Sequence, residues 1–349
     1  YSSELKADSE IDVLYGNIQS FDSDSGKLLQ IFEAENYYKN ETSILQNIIQ
    51  GKGITFGGSL MRKSLLKKVS GFDEEFLRAQ DNELWTRLAR KAKFKKINQI
   101  LYYYRKHNNN ISLSSYSDTT YESLIIKNIL RNNPLENIYA KSLENKNFVE
   151  KDILYELALG FFKIGDYRST LQLLNLRNQF EKEDDVKIYF FSLINSGMLD
   201  DARLFINSRI SKDYQYNFYQ LLEKYNYIFS LLNDENLALL SENIIMELIN
   251  KVGYNFFTSL LTAKYFTNQN DFSNAIIHLK KAVGFNPHSE LSFEIAENNP
   301  NINPESLLAV KRRSLKEVKF YKDNKTPVFS IIIPTFNRTD ALSKALSSI

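Results

Sequence analysis

Cysteine is absent from the 349-residue chain, which excludes disulfides and thiolate metal sites. No stretch of 18 apolar residues occurs, so no spanning helix is expected, and no charged-then-apolar leader marks a signal peptide. An excess of one charge is also missing. Forty-four basic side chains against 42 acidic ones leave +2, which points to neither nucleic acid nor an anionic membrane as a partner. Proline does not occur between Pro134 and Pro287, and only five of the 12 glycines lie beyond Gly71. Such a stretch reads as nearly all helix. What is present has globular proportions, 43% hydrophobic and 25% charged, and the length suits two or three domains. Residue 1 is Tyr, and the chain is expected to be a piece of a longer protein.

The front of the chain mixes strand-like and helical runs. Ile11 to Tyr15, Ile54-Thr55-Phe56 and Ile100 to Tyr104 are rich in β-branched and aromatic types and predict strands. Glu41 to Gln50 and Asp81 to Lys91 carry helical spacing, and in the second Leu84, Trp85 and Leu88 share one face. An α/β or α+β unit ending near Asn133 follows. Asp22-Ser23-Asp24 lies after the first strand and reads as a turn.

The middle repeats itself. Lys163 to Leu171, Asn195 to Arg203 and Asn268 to Ile276 are alike, with a weaker copy at Leu232 to Ala238. Their small residues, Thr170, Ala202, Ala238 and Ala275, are spaced by 32, 36 and 37. A small side chain is needed where antiparallel helices approach most closely, and the Gly-Asp or Asn-Asp turn supplies a left-handed residue followed by an N-cap. The period resembles the tetratricopeptide repeat, and the copy closing on Pro287 matches it best. An irregular helical bundle is the plainer alternative. Glu305 to Lys325 then reads as a basic helical run, with seven Lys or Arg against three acids. It is expected to be a solvated linker face, since the aromatic anchors of a lipid-binding helix are lacking.

Chemistry concentrates around Asp81. Gly71-Phe72-Asp73-Glu74-Glu75-Phe76 precedes Gln80-Asp81-Asn82-Glu83-Leu84-Trp85-Thr86-Arg87-Leu88, with Gly57-Gly58 upstream and Tyr104-Arg105-Lys106-His107-Asn108-Asn109-Asn110-Ile111-Ser112 downstream. By residue type alone, Asp81 is a helix N-cap, a role compatible with chemistry. Taken in order over residues 8 to 115, the pieces resemble the C-terminal half of a family 2 glycosyltransferase of the GT-A type.

That resemblance implies roles. Asp81 would be the general base that deprotonates the acceptor hydroxyl as it attacks a nucleotide sugar with inversion. Gln80 stands where the family has Glu or Gln. Gly57 and Gly58 would let the backbone approach the acceptor, or simply make a turn. Trp85 would offer a face to a sugar, or pack in the core, and Arg105 would help bind substrate. His107 would help hold a divalent Mg or Mn ion whose main ligands lie outside this chain, or be a plain loop histidine. His278 and His288 read as structural.

Thr326 to Arg338 reads as a buried parallel strand and turn, and Ala341 to Ile349 begins a helix. This resembles the opening of a second such domain, in which Pro334, Thr335 and Asn337 would border the donor base. The expected fold class is α/β plus all-α. Residues 1–133 would be the acceptor-side, C-terminal half of a GT-A (Rossmann-like) domain, 134–290 tetratricopeptide-like helical repeats, 291–326 a basic helical linker, and 327–349 the first β-α unit of a second GT-A domain. The implied partners are a nucleotide-sugar donor, a glycan, lipid-linked or protein acceptor, and a protein partner for the helical repeats. The implied location is cytoplasmic, the inner face of the membrane included. The alternative function is an interaction scaffold within a polysaccharide or glycoprotein assembly system.

Overall fold

The computed structural model describes residues 10–34, 42–54, 56–107, 119–145, 148–177, 183–209, 215, 217–224, 226 and 242–321. It is a mixed α/β structure in which a small sheet is followed by many helices. The sheet unit contains β1 (Val13–Asp22), β2 (Leu28–Phe32), α1 (Thr42–Ile49), β3 (Leu60–Met61), α2 (Lys63–Lys68), α3 (Gln80–Leu88), β4 (Phe94–Lys106) and α4 (Thr120–Asn132). Two single turns, α5 (Leu135–Ile138) and α6 (Ala140–Leu143), lead to α7 (Glu150–Lys163), α8 (Tyr167–Arg177), α9 (Glu183–Asn195) and α10 (Leu199–Arg209). Beyond them come α11 (Glu242–Val252), α12 (Phe256–Asn268), α13 (Phe272–Phe285), α14 (Leu291–Glu297) and α15 (Glu305–Ser314). Among the described residues no helix is long and apolar enough to cross a membrane.

β1 is the central strand. It pairs in parallel with β4 along its whole length, and antiparallel with β3 at one end and β2 at the other. The Asp22 turn closes the β1–β2 hairpin, with Asp22 Oδ1 accepting from the backbone and hydroxyl of Ser25 at 2.8 and 2.7 Å. Thirteen residues of β4 face ten of β1, and the surplus is taken up by irregularities at Gly16/Asn17 and Asn17/Ile18. Leu101 sits at this disruption and folds over Gly16, where a Cβ would stand 2.6 Å from its side chain.

The expected strand at Ile54–Phe56 is corrected: Ile54 and Phe56 lie in no strand, and Thr55 is outside the described residues. The physical reason is glycine on both sides. Gly53 presses its backbone onto Asn82, and Gly57-Gly58 presses onto Leu101 and Tyr102. Those contacts hold Gly53 against the first turn of α3 and Gly57-Gly58 against the irregular stretch of β4.

The helical turns follow the repeat. Gly165, Gly197 and Asn270 all have positive φ, 76°, 79° and 58°, each five residues before Thr170, Ala202 or Ala275. Those three small residues are fully buried. Asp166 and Asp271 accept from the backbone N–H three residues on, at 3.0 and 3.1 Å, and so cap α8 and α13. The copy at Ala238 lies outside the described residues.

The apolar core does not divide at Asn133. One cluster joins Val13, Tyr15 and Trp85 of the sheet unit to Leu157, Phe161 and Leu173 of α7 and α8. Gly160 makes this possible, because a Cβ there would stand 2.5 Å from the Ile49 carbonyl oxygen at the end of α1. A buried ion pair ties the same junction. Lys127 Nζ of α4 lies 2.8 Å from Asp166 Oδ2, with the lysine side chain 1% exposed. Burial alone would raise the Asp166 pKa, but Lys127 and the hydrogen bonds from Ser123 and Ser169 outweigh it and hold the carboxyl below its usual value.

The helix expected over Glu305 to Lys325 is shorter: α15 ends at Ser314, with Leu307 and Val310 buried and Arg312, Lys316 and Lys319 exposed. Arg313 Nε donates to Thr120 Oγ1 at 2.8 Å and its guanidinium lies 4.2 Å from the Tyr121 ring. Val318 enters the sheet unit's core, and the Tyr321 N–H donates to the Leu130 carbonyl at 2.7 Å. The apolar ridge at Leu307 and Val310 makes this segment a clasp that returns to α4. Residues 322–349, including Pro334, Thr335, Asn337 and the expected second GT-A start, lie outside the described residues.

Breaking the Lys127–Asp166 pair from one side strands a buried charge. Lys127→Met is expected to cost about 3–5 kcal/mol, and pairing it with Asp166→Asn to cost less than the two single changes summed. Urea unfolding of the three variants measures this.

Candidate functional site

The Asp81 region is assembled from three pieces: the first turn of α3, the Gly53–Gly58 loop and the irregular stretch of β4. The N-cap expectation for Asp81 is corrected. Helix α3 starts at Gln80 and its N-cap position is held by Ala79, whose φ of 54° and ψ of 27° are left-handed. Asp81 is therefore the second residue of the helix and caps nothing. Its Oδ1 accepts from the Asn82 N–H at 2.9 Å, and among the described residues no cation or side-chain donor pairs with it. Burial raises its pKa above the usual value, partly offset by backbone N–H groups of Asn82 and of Asp81 itself. A half-buried, unpaired carboxylate with raised proton affinity is the chemical content of this site.

A left-handed non-glycine residue stores on the order of 1 kcal/mol or more. Ala79 is held there by the loop before it. Phe76 is buried against Tyr121 with ring centroids 6.0 Å apart, and Arg78 meets Glu122 at 3.4 Å. Behind the loop stands a clamp. Arg87 donates through Nε and Nη2 to the two carboxylate oxygens of Glu83, each at 2.6 Å. The same guanidinium donates to the Gly71 carbonyl at 2.8 Å and to the Val69 carbonyl. This fixes the Gly71-Phe72-Asp73 turn to α3. The Glu83/Arg87 spacing of four is a helix-face signal readable from sequence; the two carbonyl partners are not.

The other expected site residues fare unequally. Trp85 is 0% exposed and its Nε1–H donates to the Ile54 carbonyl at 2.8 Å, so the sugar-stacking role is corrected to core packing that anchors the loop. The space beside Gly57 and Gly58 is filled by Tyr102, 2.6 Å and 2.9 Å from where a Cβ would be, with Leu101 3.1 Å from the second. Their absence of side chains serves that contact, which corrects the acceptor-approach role. Gly58 additionally has φ of 76°. Gln80 is exposed and donates to the Leu77 carbonyl at 2.9 Å. Arg105 is exposed near the end of β4 opposite Phe21, and His107 follows that strand. Neither makes a contact with Asp81, and His107 lies about 16 Å of extended chain beyond Tyr102.

An aromatic pair completes the region. Phe56 packs on Trp85 at 5.8 Å and meets Phe72 edge-on at 5.4 Å. Both phenylalanines stay exposed, at 41% and 44%. Trp85 is one helical turn from Asp81 on α3, so the pair packs against the helix that carries the carboxylate. Nothing in residue spacing marks it, because Phe56 and Phe72 meet only through the fold.

For a divalent ion the residues present do not suffice. Among the described residues no group of three or more His, Asp or Glu side chains gathers, and His107 alone cannot hold Mg or Mn. Comparison with known protein families, with curated proteins and with solved structures finds no match to the chain.

Two outcomes follow. Arg87→Ala, which strands the buried Glu83 carboxylate, is expected to cost roughly 3 kcal/mol and to speed amide exchange at residues 70–79. Asp81→Asn is expected to raise the melting temperature near neutral pH, since it removes a charge that burial disfavours. With a raised carboxyl pKa, the folded state binds more protons than the unfolded one just above the usual value, so Asp81's contribution improves as pH falls into that window. Melting curves of wild type and Asp81→Asn against pH measure it; equal curves would contradict the shift.

Proposed function

We propose that the chain is the acceptor-side part of a glycosyltransferase, with Asp81 as the general base of an inverting sugar transfer. The observation that carries the reading is the Asp81 carboxylate: accessible, unpaired among the described residues, and more basic than an ordinary aspartate. A base that must take a proton from an alcohol gains from that elevation, because proton transfer improves as the base approaches the operating pH. The carboxylates with structural jobs are held below their usual pKa instead, Asp166 by a lysine and hydrogen bonds, Asp22 and Asp271 by hydrogen bonds.

In this reading the acceptor hydroxyl sits over the first turn of α3, and the exposed Phe56–Phe72 pair lies beside the acceptor. Oxygen attacks the anomeric carbon while its proton passes to an Asp81 oxygen, and the nucleotide leaves on the opposite side. The Arg87 clamp and the buried Trp85 position this turn without touching substrate. The donor and its divalent ion find their main ligands outside the described residues, so no step is assigned to them. The helical hairpins are read as tetratricopeptide-like, and residues 327–349 as the opening of a second transferase domain.

The scaffold alternative needs an open repeat face lined by convergent polar groups. Instead the first and last hairpins meet: Tyr167 stacks on Phe285 at 5.7 Å and 27°, and α15 packs on both α13 and α4. Those contacts favour a structural connector.

The test is Asp81→Asn in a chain that also carries the donor-side half. Turnover is expected to fall by about 10²–10⁴ with donor affinity unchanged. Turnover equal to wild type would remove Asp81 from the chemistry. The 349-residue chain alone is expected to turn over little or no donor, which a radiolabelled-sugar assay reads directly.

A further inference from the structure

Far from Asp81, at the α11–α12 turn, two basic side chains are buried together. His278 and Lys281 lie one turn apart on α13, 8% and 7% exposed. The His278 ring is stacked between Tyr254 and Phe266, with centroids 5.8 and 5.6 Å away and interplanar angles of 28° and 19°. Lys281 Nζ stands 3.7 Å from the centre of the Tyr254 ring. Tyr254 is itself held in place. It lies between Gly253, with φ of 75°, and Asn255, which caps α12 by a reciprocal pair of hydrogen bonds with Thr258 at 2.9 and 3.1 Å.

What the cluster lacks is an acceptor. His278 Nδ1 is buried without a hydrogen-bond partner. Among the described residues no carboxylate comes within ion-pair distance of Lys281. The Tyr254 face attracts the ammonium from one side but accepts none of its N–H groups in the way an oxygen does. Two other buried cations do have a carboxylate: Lys127 has Asp166 at 2.8 Å, and Arg177 has Asp185 at 2.6 Å. Burying a polar atom such as His278 Nδ1 without a partner is costly, and native structures retain such atoms where something else completes them.

We propose that His278 and Lys281 form a binding site for a small oxyanion, a carboxylate or phosphate group. Lys281 supplies the charge and the imidazole supplies Nδ1–H. The stacked rings hold the imidazole edge in one orientation, and Tyr254, 37% exposed, opens the cluster to solvent. The cluster bears the marks of missing counter-charge. Burial pushes the lysine down to about 8, and burial followed by the lysine's charge pushes the histidine down to about 3. The neutral imidazole keeps one proton, and the oxyanion selects the tautomer that carries it on Nδ1. The site stands apart from Asp81 and does not depend on the glycosyltransferase reading.

The test titrates the chain, labelled with ¹⁵N at its three histidines, with inorganic phosphate, with acetate and with sodium chloride at matched ionic strength. Phosphate or acetate is expected to produce a saturable shift at His278 towards the Nδ1–H tautomer, and to raise the melting temperature more than chloride does. Response to phosphate alone identifies a phosphoryl ligand, and response to both identifies a carboxylate-sized oxyanion site. Lys281→Met is expected to weaken the response at least tenfold while melting at or above the wild-type temperature, and Lys281→Arg to retain it. No saturable His278 shift with either anion, or an undiminished one in Lys281→Met, would overturn the proposal.

Discussion

A lysine ammonium withdrawn from water needs a counter-charge at close range, and meeting that need at Lys127 decides how the sheet unit and the helices are joined. Asp166 supplies the charge from the turn of the first helical hairpin. The same carboxylate accepts from the Ser123 hydroxyl and caps α8 through the Ser169 N–H and hydroxyl. One side chain therefore fixes the helix start, the hairpin turn and the docking of α4. Phe161 brings its ring to 5.8 Å from the ammonium, and Gly160 beside it lets α7 touch the end of α1. A second pair repeats the device one hairpin on, where Arg177 meets Asp185 and lies 5.2 Å from the Tyr155 ring. Each pair falls where helix faces already too apolar to discriminate must adopt one register.

From that junction a line of contacts reaches the candidate site. Arg313 of the returning C-terminal clasp lies over Tyr121, Tyr121 packs on Phe76, and Phe76 anchors the loop that ends in strained Ala79 and Asp81. Strain in a backbone persists only where its surroundings over-determine it. Here the surroundings are the Arg78–Glu122 contact on one side and the Arg87 clamp on the other. The first turn of α3 is thus held by groups from α2's end, α4 and α15. The orientation of the carboxylate is a property of the whole unit more than of its own helix.

Much of this was legible locally and little of it at long range. The hairpin turns could be read because a left-handed residue, a capping acid and a small residue five positions on are all short-range requirements. Gly165, Asp166 and Thr170 satisfy them within six residues. The β1 and β4 strands showed themselves by β-branched and aromatic runs. The Ile54–Phe56 run carries the same signature, yet becomes a loop because its glycine neighbours press on Asn82 and Tyr102, which are distant in sequence. The packing of the basic run after Pro304 was hidden for a similar reason. Its charge dominates the composition, while Leu307 and Val310 decide the packing. At the site, the position of Asp81 in a first helical turn was readable. The Trp85 bond to the Ile54 carbonyl, the partners of Arg87 and the Phe56–Phe72 pair depend on the fold and left no spacing to find.

Two aspartates in this chain show why the Asp81 carboxylate calls for a functional account. Asp166 is less exposed, yet its pKa lies below the usual value because a lysine and two hydrogen-bonding serines surround it. Asp81 is half-buried, and its pKa is raised because no charge among the described residues answers its burial. The first arrangement is what stability favours. The second is one that asparagine at the same position would relieve, keeping the size and losing the charge. Selection for folding alone gives no reason to keep an unanswered carboxylate beside a strained turn. A proton acceptor needs that combination: charged to accept, free of a cation that would hold its lone pairs, and less well solvated than in water so that protonation is favoured.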